Sequence, residues 1–283
     1  MAACLRFAAA LCLAAALQPL AQAWAEHDKG EMPKWEIGLA GGAGWSHHYP
    51  GADQGSAAVA AVPFVIYRTE HLSVGEGGLV TGRLLETDRV EFTASIRGSL
   101  PAHSEDNRAR EGMPDLDTLV EIGPQVVINL RERTDVDSLA LKLPLRAVLS
   151  TDFSNLKYRG LVFQPRLSYS RDGLLDSKFD GSVSVGPIFA TDKLMDFFYD
   201  VPPQFATPTR PEYEARGGYM GTDLSVGLTY PFSDHFKVLL GGEVSYLGGN
   251  ANEGSPLFRE RINYRAALGF VWKIFVSKST VSY

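Results

Sequence analysis

Residues 219–230 read Tyr-Met-Gly-Thr-Asp-Leu-Ser-Val-Gly-Leu-Thr-Tyr. Met220, Thr222, Leu224, Val226, Leu228 and Tyr230 fall on one side of an extended chain. Tyr219, Gly221, Asp223, Ser225, Gly227 and Thr229 fall on the other. Successive side chains of a strand point to opposite faces, so this stretch reads as a strand with one apolar face and one polar or small face.

The same period recurs along the chain. Runs at 90–100, 118–131, 138–150, 159–170, 179–189, 236–246 and 264–273 all set branched or aromatic residues against polar ones. Two architectures accept such a series. One is a soluble sandwich or barrel with the apolar side inward. The other is a transmembrane barrel with the apolar side toward lipid and the polar side toward the lumen. Length favours the second, because many of these runs reach the roughly ten residues that a tilted strand needs to cross the hydrocarbon layer, against roughly five or six for a soluble strand. The placement of Tyr67, Tyr158, Tyr169, Tyr230, Tyr246, Tyr264 and Trp272 near run ends matches an interfacial aromatic girdle.

The polar side carries acids (Glu91, Glu121, Asp180, Asp223, Glu243) and bases (Arg97, Lys142, Arg146, Arg166, Arg265, Lys273) in similar numbers. An unpaired charge in a narrow barrel is costly, so mixed signs predict a lumen largely filled by paired side chains. The competing reading leaves some of these groups on solvated rims. Connections alternate between long (101–117, 192–218, 248–261) and short (131–137, 171–178, 233–235), with 152–157 as a shorter member of the long series. Long loops belong outside the cell and short turns in the periplasm, which puts the C-terminus in the periplasm. Further strands at about 35–45, 57–68, 71–84 and 88–100 bring the count to an odd total. Single-chain bacterial barrels have even numbers, so the expectation is about twelve strands, with ten as the alternative. Pro63 and Gly75 to Gly78 are expected breaks.

The chain begins MAACLRFAAALCLAAALQPLAQAWA, with Arg6 ahead of an apolar run and small residues after it. This is the layout of a secretory signal peptide over residues 1–25, cleaved after Ala23 or Ala25. The barrel is expected over 26–275. Both cysteines, Cys4 and Cys12, lie in the leader, so thiol catalysis, thiolate metal binding and disulfides are excluded from the remainder. The formal charge of −6 argues against nucleic acid as a partner. Residues 44–55, Gly-Trp-Ser-His-His-Tyr-Pro-Gly-Ala-Asp-Gln-Gly, place His47 and His48 side by side. In a continuing strand they point to opposite faces and cannot chelate one ion together, and Pro50-Gly51 is turn chemistry. None of the histidines shows a nucleophile-and-base arrangement. No cofactor, metal or catalytic residue is expected, and the chain is read as non-enzymatic.

Several short segments, in order, carry a resemblance: Tyr49-Pro50-Gly51-Ala52-Asp53, Val62-Pro63-Phe64-Val65-Ile66-Tyr67, Asp115-Leu116-Asp117 leading into Val120-Glu121-Ile122-Gly123, Phe198-Tyr199-Asp200-Val201, Tyr213-Glu214-Ala215-Arg216-Gly217-Gly218-Tyr219 and Ser255-Pro256-Leu257. The chain resembles the MipA/OmpV family from about Trp35 to Trp272. The resemblance implies a barrel in the outer membrane of a Gram-negative cell, surrounded by its lipid. It also implies a scaffold that links a lytic transglycosylase to a penicillin-binding protein during peptidoglycan growth. A narrow channel for small solutes and a surface adhesin are the alternatives. Barrels of this kind end on an aromatic residue. Here Phe275 is followed by residues 276–283, so either Tyr283 closes a longer last strand or the tail is a periplasmic extension. Finally, the loop 192–218 combines Phe197, Phe198, Tyr199, Phe205 and Tyr213 with four prolines. Proline stiffening suits either a lid over the barrel mouth or a preformed contact for a partner.

Overall fold

The computed structural model describes residues 31–68, 72–76, 79–82, 89–131, 136–152 and 154–282. The expected leader and its cleavage site lie outside these residues. The strands are β1 (Glu31–Pro33), β2 (Trp35–His47), β3 (Gly55–Arg68), β4 (Leu72–Glu76), β5 (Leu79–Gly82), β6 (Val90–Ser99), β7 (Thr118–Asn129), β8 (Asp137–Thr151), β9 (Leu156–Phe163), β10 (Arg166–Arg171), β11 (Asp180–Ala190), β12 (Gly218–Ser233), β13 (Phe236–Tyr246), β14 (Ile262–Val276) and β15 (Thr280–Ser282). A single α-helix among the described residues, α1 (Asp192–Tyr199), lies between β11 and β12.

From β2 to β5 and from β6 to β14 each pass of the sheet pairs antiparallel with the pass before and after it. The last long strand, β14, pairs with the first, β2, from Arg265↔Ser46 to Val276↔Glu36. The sheet is thus an up-and-down barrel whose two ends, β5 and β6, are brought side by side. Its thirteen strands make twelve passes, because β9 and β10 are one pass interrupted at Gln164-Pro165, and both pair with β8 and β11. The even number expected for a bacterial barrel is met. The strand that the sequence hides is found where one run was expected at 71–84: its described residues form two short paired strands, β4 and β5.

Pro63 does not break β3, contrary to expectation. It pairs opposite Leu39 in an uninterrupted ladder. A proline is tolerated in a strand at a position where the ladder does not require its N–H.

Burial assigns the faces. Leu224, Val226, Leu240 and Leu268 are 48%, 51%, 51% and 56% exposed, whereas Asp223, Ser225 and Thr229 are 1%, 6% and 5% exposed. An apolar belt turned outward and a polar lining turned inward is the arrangement of a barrel in lipid. Among the described residues no helix is long and apolar enough to cross a membrane; the crossing is made by strands. Aromatics gather at the strand ends, with Trp35 on Tyr67 (4.2 Å between ring centroids), Trp45 on Tyr264 (4.9 Å) and Phe179 on Tyr230 (4.8 Å). Met220 departs from the alternation. A register shift opposite Ile188 and Phe189 leaves it as an extra residue and turns it inward, 4% exposed.

Beyond Val276 the chain leaves the barrel. β15 pairs with β1 at Glu31↔Ser282, Met32↔Val281 and Pro33↔Thr280, so a two-stranded ribbon stands at the periplasmic end. Tyr283 lies outside the described residues.

Candidate functional site: the capped lumen

The extracellular loops fold over the mouth of the barrel. Tyr49, Met113, Leu116, Leu194, Met195, Phe198, Tyr199, Val201 and Leu257 form a buried apolar core there. It is built from the β2–β3 turn and the three long loops. Helix α1 contributes Leu194, Met195, Phe198 and Tyr199, spaced so that one face is buried. Its first turn sits against β9, where Thr191 Oγ1 accepts the Leu161 N–H at 2.9 Å. Gly160 makes this approach possible, because a Cβ there would lie 2.2 Å from Thr191 Oγ1 and the backbone has φ +108°.

Of the loop aromatics, Phe198 and Tyr199 are buried, and Phe197, Phe205 and Tyr213 pack half-buried around them. Arg159 stands over the Phe197 ring at 4.5 Å. Tyr199 is tied at both ends: Asn250 Nδ2 donates to its hydroxyl at 3.2 Å and Ser255 Oγ donates to its carbonyl at 2.7 Å. Two arginines absent from the sequence reading join the loops. Arg210 donates to the carbonyls of Phe205 (2.9 Å), Ala109 (3.0 Å) and Glu111 (2.9 Å). Arg110 donates to the Phe198 carbonyl at 3.3 Å and faces the Tyr49 ring at 5.7 Å. Burial lowers the Arg110 pKa to about 10 and raises that of Tyr49 to about 12. Neither signal was legible in sequence, since both arginines satisfy carbonyls rather than acids.

The stretch 44–55 is part of this cap. His47 lies between Trp45 (4.8 Å) and Tyr264 (5.0 Å), whereas His48 Nδ1 is 3.1 Å from the Asn107 amide. The two rings therefore serve different neighbours. Burial holds the His48 pKa below the usual histidine value. The Tyr49 hydroxyl donates to the Leu257 carbonyl at 2.8 Å, and the Gly51 N–H donates to Asn263 Oδ1 at 2.6 Å. Gly51 has φ +88° and its carbonyl accepts from the N–H groups of Arg259 (2.7 Å) and Glu260 (3.0 Å). No group of three or more His, Cys, Asp or Glu able to hold a metal ion occurs among the described residues.

Below the cap, charged side chains from seven passes meet in the lumen. Arg97 on β6 donates to Glu243 on β13 at 3.0 Å and to Gln164 at 3.0 Å, and lies 3.7 Å from Asp223 on β12. Arg265 on β14 also donates to Glu243, and Arg166 approaches it at 3.8 Å. Arg146 on β8 donates to Glu121 at 2.8 Å and to Gln164 at 2.9 Å. Only a curled sheet brings β6 and β13 this close, since they stand far apart in strand order. Gln164, in the break between β9 and β10, bridges Arg97, Arg146 and Asp223. It was missed because an uncharged amide gives no ionic signal.

Four residues named with this group, Glu91, Lys142, Asp180 and Lys273, stand elsewhere. Asp180 accepts the Gly173 N–H at 3.2 Å in a periplasmic turn, and Glu91 accepts from Asn129 at 3.0 Å near the same end. Lys142 lies lower on β8, opposite Val127 and Arg166. Toward the periplasm, Leu239, Ala267 and Val271 pack with Ala40 and Phe64 as an apolar layer inside the barrel. A second ion cluster follows, with Glu36 paired to Arg68 (2.9 Å) and to Lys273 (2.9 Å).

A family model described as MltA-interacting protein MipA matches residues 37–274. The chain belongs to the MipA family. With its lipid-facing belt, this MipA-family chain is an outer-membrane β-barrel protein. No sequence relative is found among curated proteins. Solved structures similar to it include a bacterial polysaccharide outer membrane secretin, at 10% identity and TM-score 0.41 over 85% of this chain and 99% of that one. The NanC porin is similar at 10% identity and TM-score 0.37, over 84% and 100% of the two chains. Outer membrane phospholipase A from Escherichia coli is similar at 13% identity and TM-score 0.37, over 87% and 99%.

Proposed function

We propose that this protein is a non-catalytic scaffold of the outer membrane that holds peptidoglycan-remodelling enzymes at its periplasmic face. A lytic transglycosylase and a penicillin-binding protein are the proposed partners. The observation that carries this reading is the match over residues 37–274 to a family named for interaction with MltA. The interior supports it. The cap core, the Arg97–Glu243–Arg265 network and the Leu239–Val271 layer lie one below another along the barrel axis, which suits an anchored platform better than an open pore. The periplasmic end supplies the contact surface, with short turns and the β1–β15 ribbon.

Crosslinking in intact envelopes, with this protein as bait, tests the reading. The expected result is recovery of a lytic transglycosylase together with a murein synthase, reduced when 277–283 is removed. Recovery of neither, from a bait that is itself folded in the outer membrane, overturns it.

A further inference from the structure

The short periplasmic turn between β10 and β11, residues 172–179, holds a leucine where the backbone does not favour one. Leu175 and Asp176 are the two residues other than glycine with positive φ among the described residues, at 54° and 57°. With ψ 39°, Leu175 stands in the left-handed helical region. There the Cβ of an L-residue crowds the following carbonyl, and only glycine or the short polar Asn and Asp go routinely. Leu175 is also 96% exposed, more than any other large apolar side chain among the described residues. Neither backbone preference nor burial accounts for a leucine at this position.

The frame of the turn is fixed around it. The Leu174 N–H donates to the Phe179 carbonyl at 2.6 Å, and the Leu174 carbonyl accepts from the Ser177 N–H at 3.1 Å and from Ser177 Oγ at 2.6 Å. Ser177 Oγ accepts the Phe179 N–H at 3.1 Å, Asp180 Oδ1 accepts the Gly173 N–H at 3.2 Å, and the Val136 carbonyl accepts the Asp172 N–H at 2.8 Å. Leu174 folds back on the sheet and fills the space that a Cβ on Gly181 would take. One leucine closes the turn and the next is held out from it. We propose that Leu175 is a preformed contact residue of the periplasmic face, and that it enters an apolar, leucine-sized pocket on the peptidoglycan-remodelling enzyme held there.

Three observations select a protein over lipid as the occupant. A bilayer takes up a leucine in any backbone conformation, so it would not offset the left-handed geometry, whereas a shaped pocket gains from a side chain fixed in advance. Asp176 follows at once and is exposed. A carboxylate beside the tip opposes entry into hydrocarbon, but it suits a pocket whose rim carries a cation or an N–H donor. Residues 172–178 also contain neither Trp nor Tyr, the side chains that seat at a membrane interface. The inference rests on the scaffold reading for the nature of the partner, and adds to it the residue by which that partner is held.

The test uses the full chain as bait in intact envelopes, in two arms. In the first, Leu175→Gly is compared with the unaltered bait. Glycine takes up positive φ without steric cost, so thermal stability is expected to hold or rise. Recovery of the crosslinked lytic transglycosylase or murein synthase is expected to fall about tenfold, the loss that follows removal of one central buried contact. Leu175→Met conserves the side-chain volume and is expected to keep most of the recovery. In the second arm, benzoylphenylalanine placed at 175 is photolysed and its adduct identified by mass spectrometry, with the same probe at lipid-facing Leu268 reporting the bilayer. An adduct with one of those enzymes is expected at 175. Equal recovery by Leu175→Gly, from an unaltered bait that does recover the enzymes, overturns this inference and leaves the scaffold reading standing. Recovery of neither enzyme by the unaltered bait overturns both. A phospholipid adduct at 175 makes the turn a membrane contact and an adduct with a second copy makes it a self-contact, and either overturns the inference.

Discussion

Arg97 illustrates what individual residues do in this barrel. Its side chain is 13% exposed and is held by Glu243 and Gln164 at 3.0 Å each. Removing one member of a buried pair strands the other charge, which costs about 3 kcal/mol. Arg97→Ala is therefore expected to lower unfolding stability in detergent by about that amount, measured by denaturant titration. Arg261→Ala is the contrast. Its bond to Glu253 is 69% and 29% exposed on the two side chains, and solvent screening leaves such a pair a small contribution beside a buried one. Equal losses in the two variants would show that the lumen network adds nothing.

The His103–Asp115 pair, at 2.9 Å, is the residue-scale pH probe. The hydrogen bond to Asp115 raises the His103 pKa above 6.5, and the same bond lowers that of Asp115 below 3.8. The histidine's contribution is therefore complete below pH 6.5 and fades as pH rises through its folded-state value. The aspartate's contribution is complete above pH 3.8 and fades as pH falls. Loop 101–117 is expected to be best held between these limits. Amide exchange at Ser104, which donates to Asp115 at 2.7 Å, should quicken on either side, and a flat profile would remove the pair from the loop's account.

At the scale of elements, long strands were readable because alternation over ten or more residues leaves little ambiguity. β4 and β5 escaped because five and four residues are too few to show a period. α1 escaped for a related reason: its eight residues open a loop whose later prolines and aromatics dominate the pattern. The lumen residues were readable as a face but not as a network. Which of them meet depends on closure of the sheet, and Arg97 and Glu243 are 146 residues apart. Gly160 makes the element scale testable. Its φ of +108° and the 2.2 Å approach of Thr191 Oγ1 leave no room for a methyl group. Gly160→Ala is expected to destabilise the junction of α1 with β9 by at least about 1 kcal/mol. Proteolysis within 200–216 should accelerate while the barrel amides stay protected. If cleavage is unchanged, α1 is not held by this contact.

For the molecule as a whole, the question is how the layers of the interior divide the work of closing the barrel. The cap is an apolar core tied by Arg210, Tyr199 and Gly51, whereas the network beneath is ionic and built from the wall itself. Removing one layer leaves the other in place. Deleting 200–211 takes away Arg210, which joins the two longest loops, and should open the space under the cap to the outside without making a through path. Planar-bilayer recordings of that variant are expected to show at most small steps, like the intact protein. Adding Arg97→Ala, Arg146→Ala and Glu243→Ala removes the ionic layer as well. The combined variant is then expected to leak in proportion to what the Leu239–Ala267–Val271 layer still admits. Large steps from the loop deletion alone would assign closure to the cap and leave the lumen charges a role in stability only. The loop aromatics are separated from this in the same experiment: loss of surface binding without change in conductance would make Phe197, Phe205 and Tyr213 a partner contact rather than a lid.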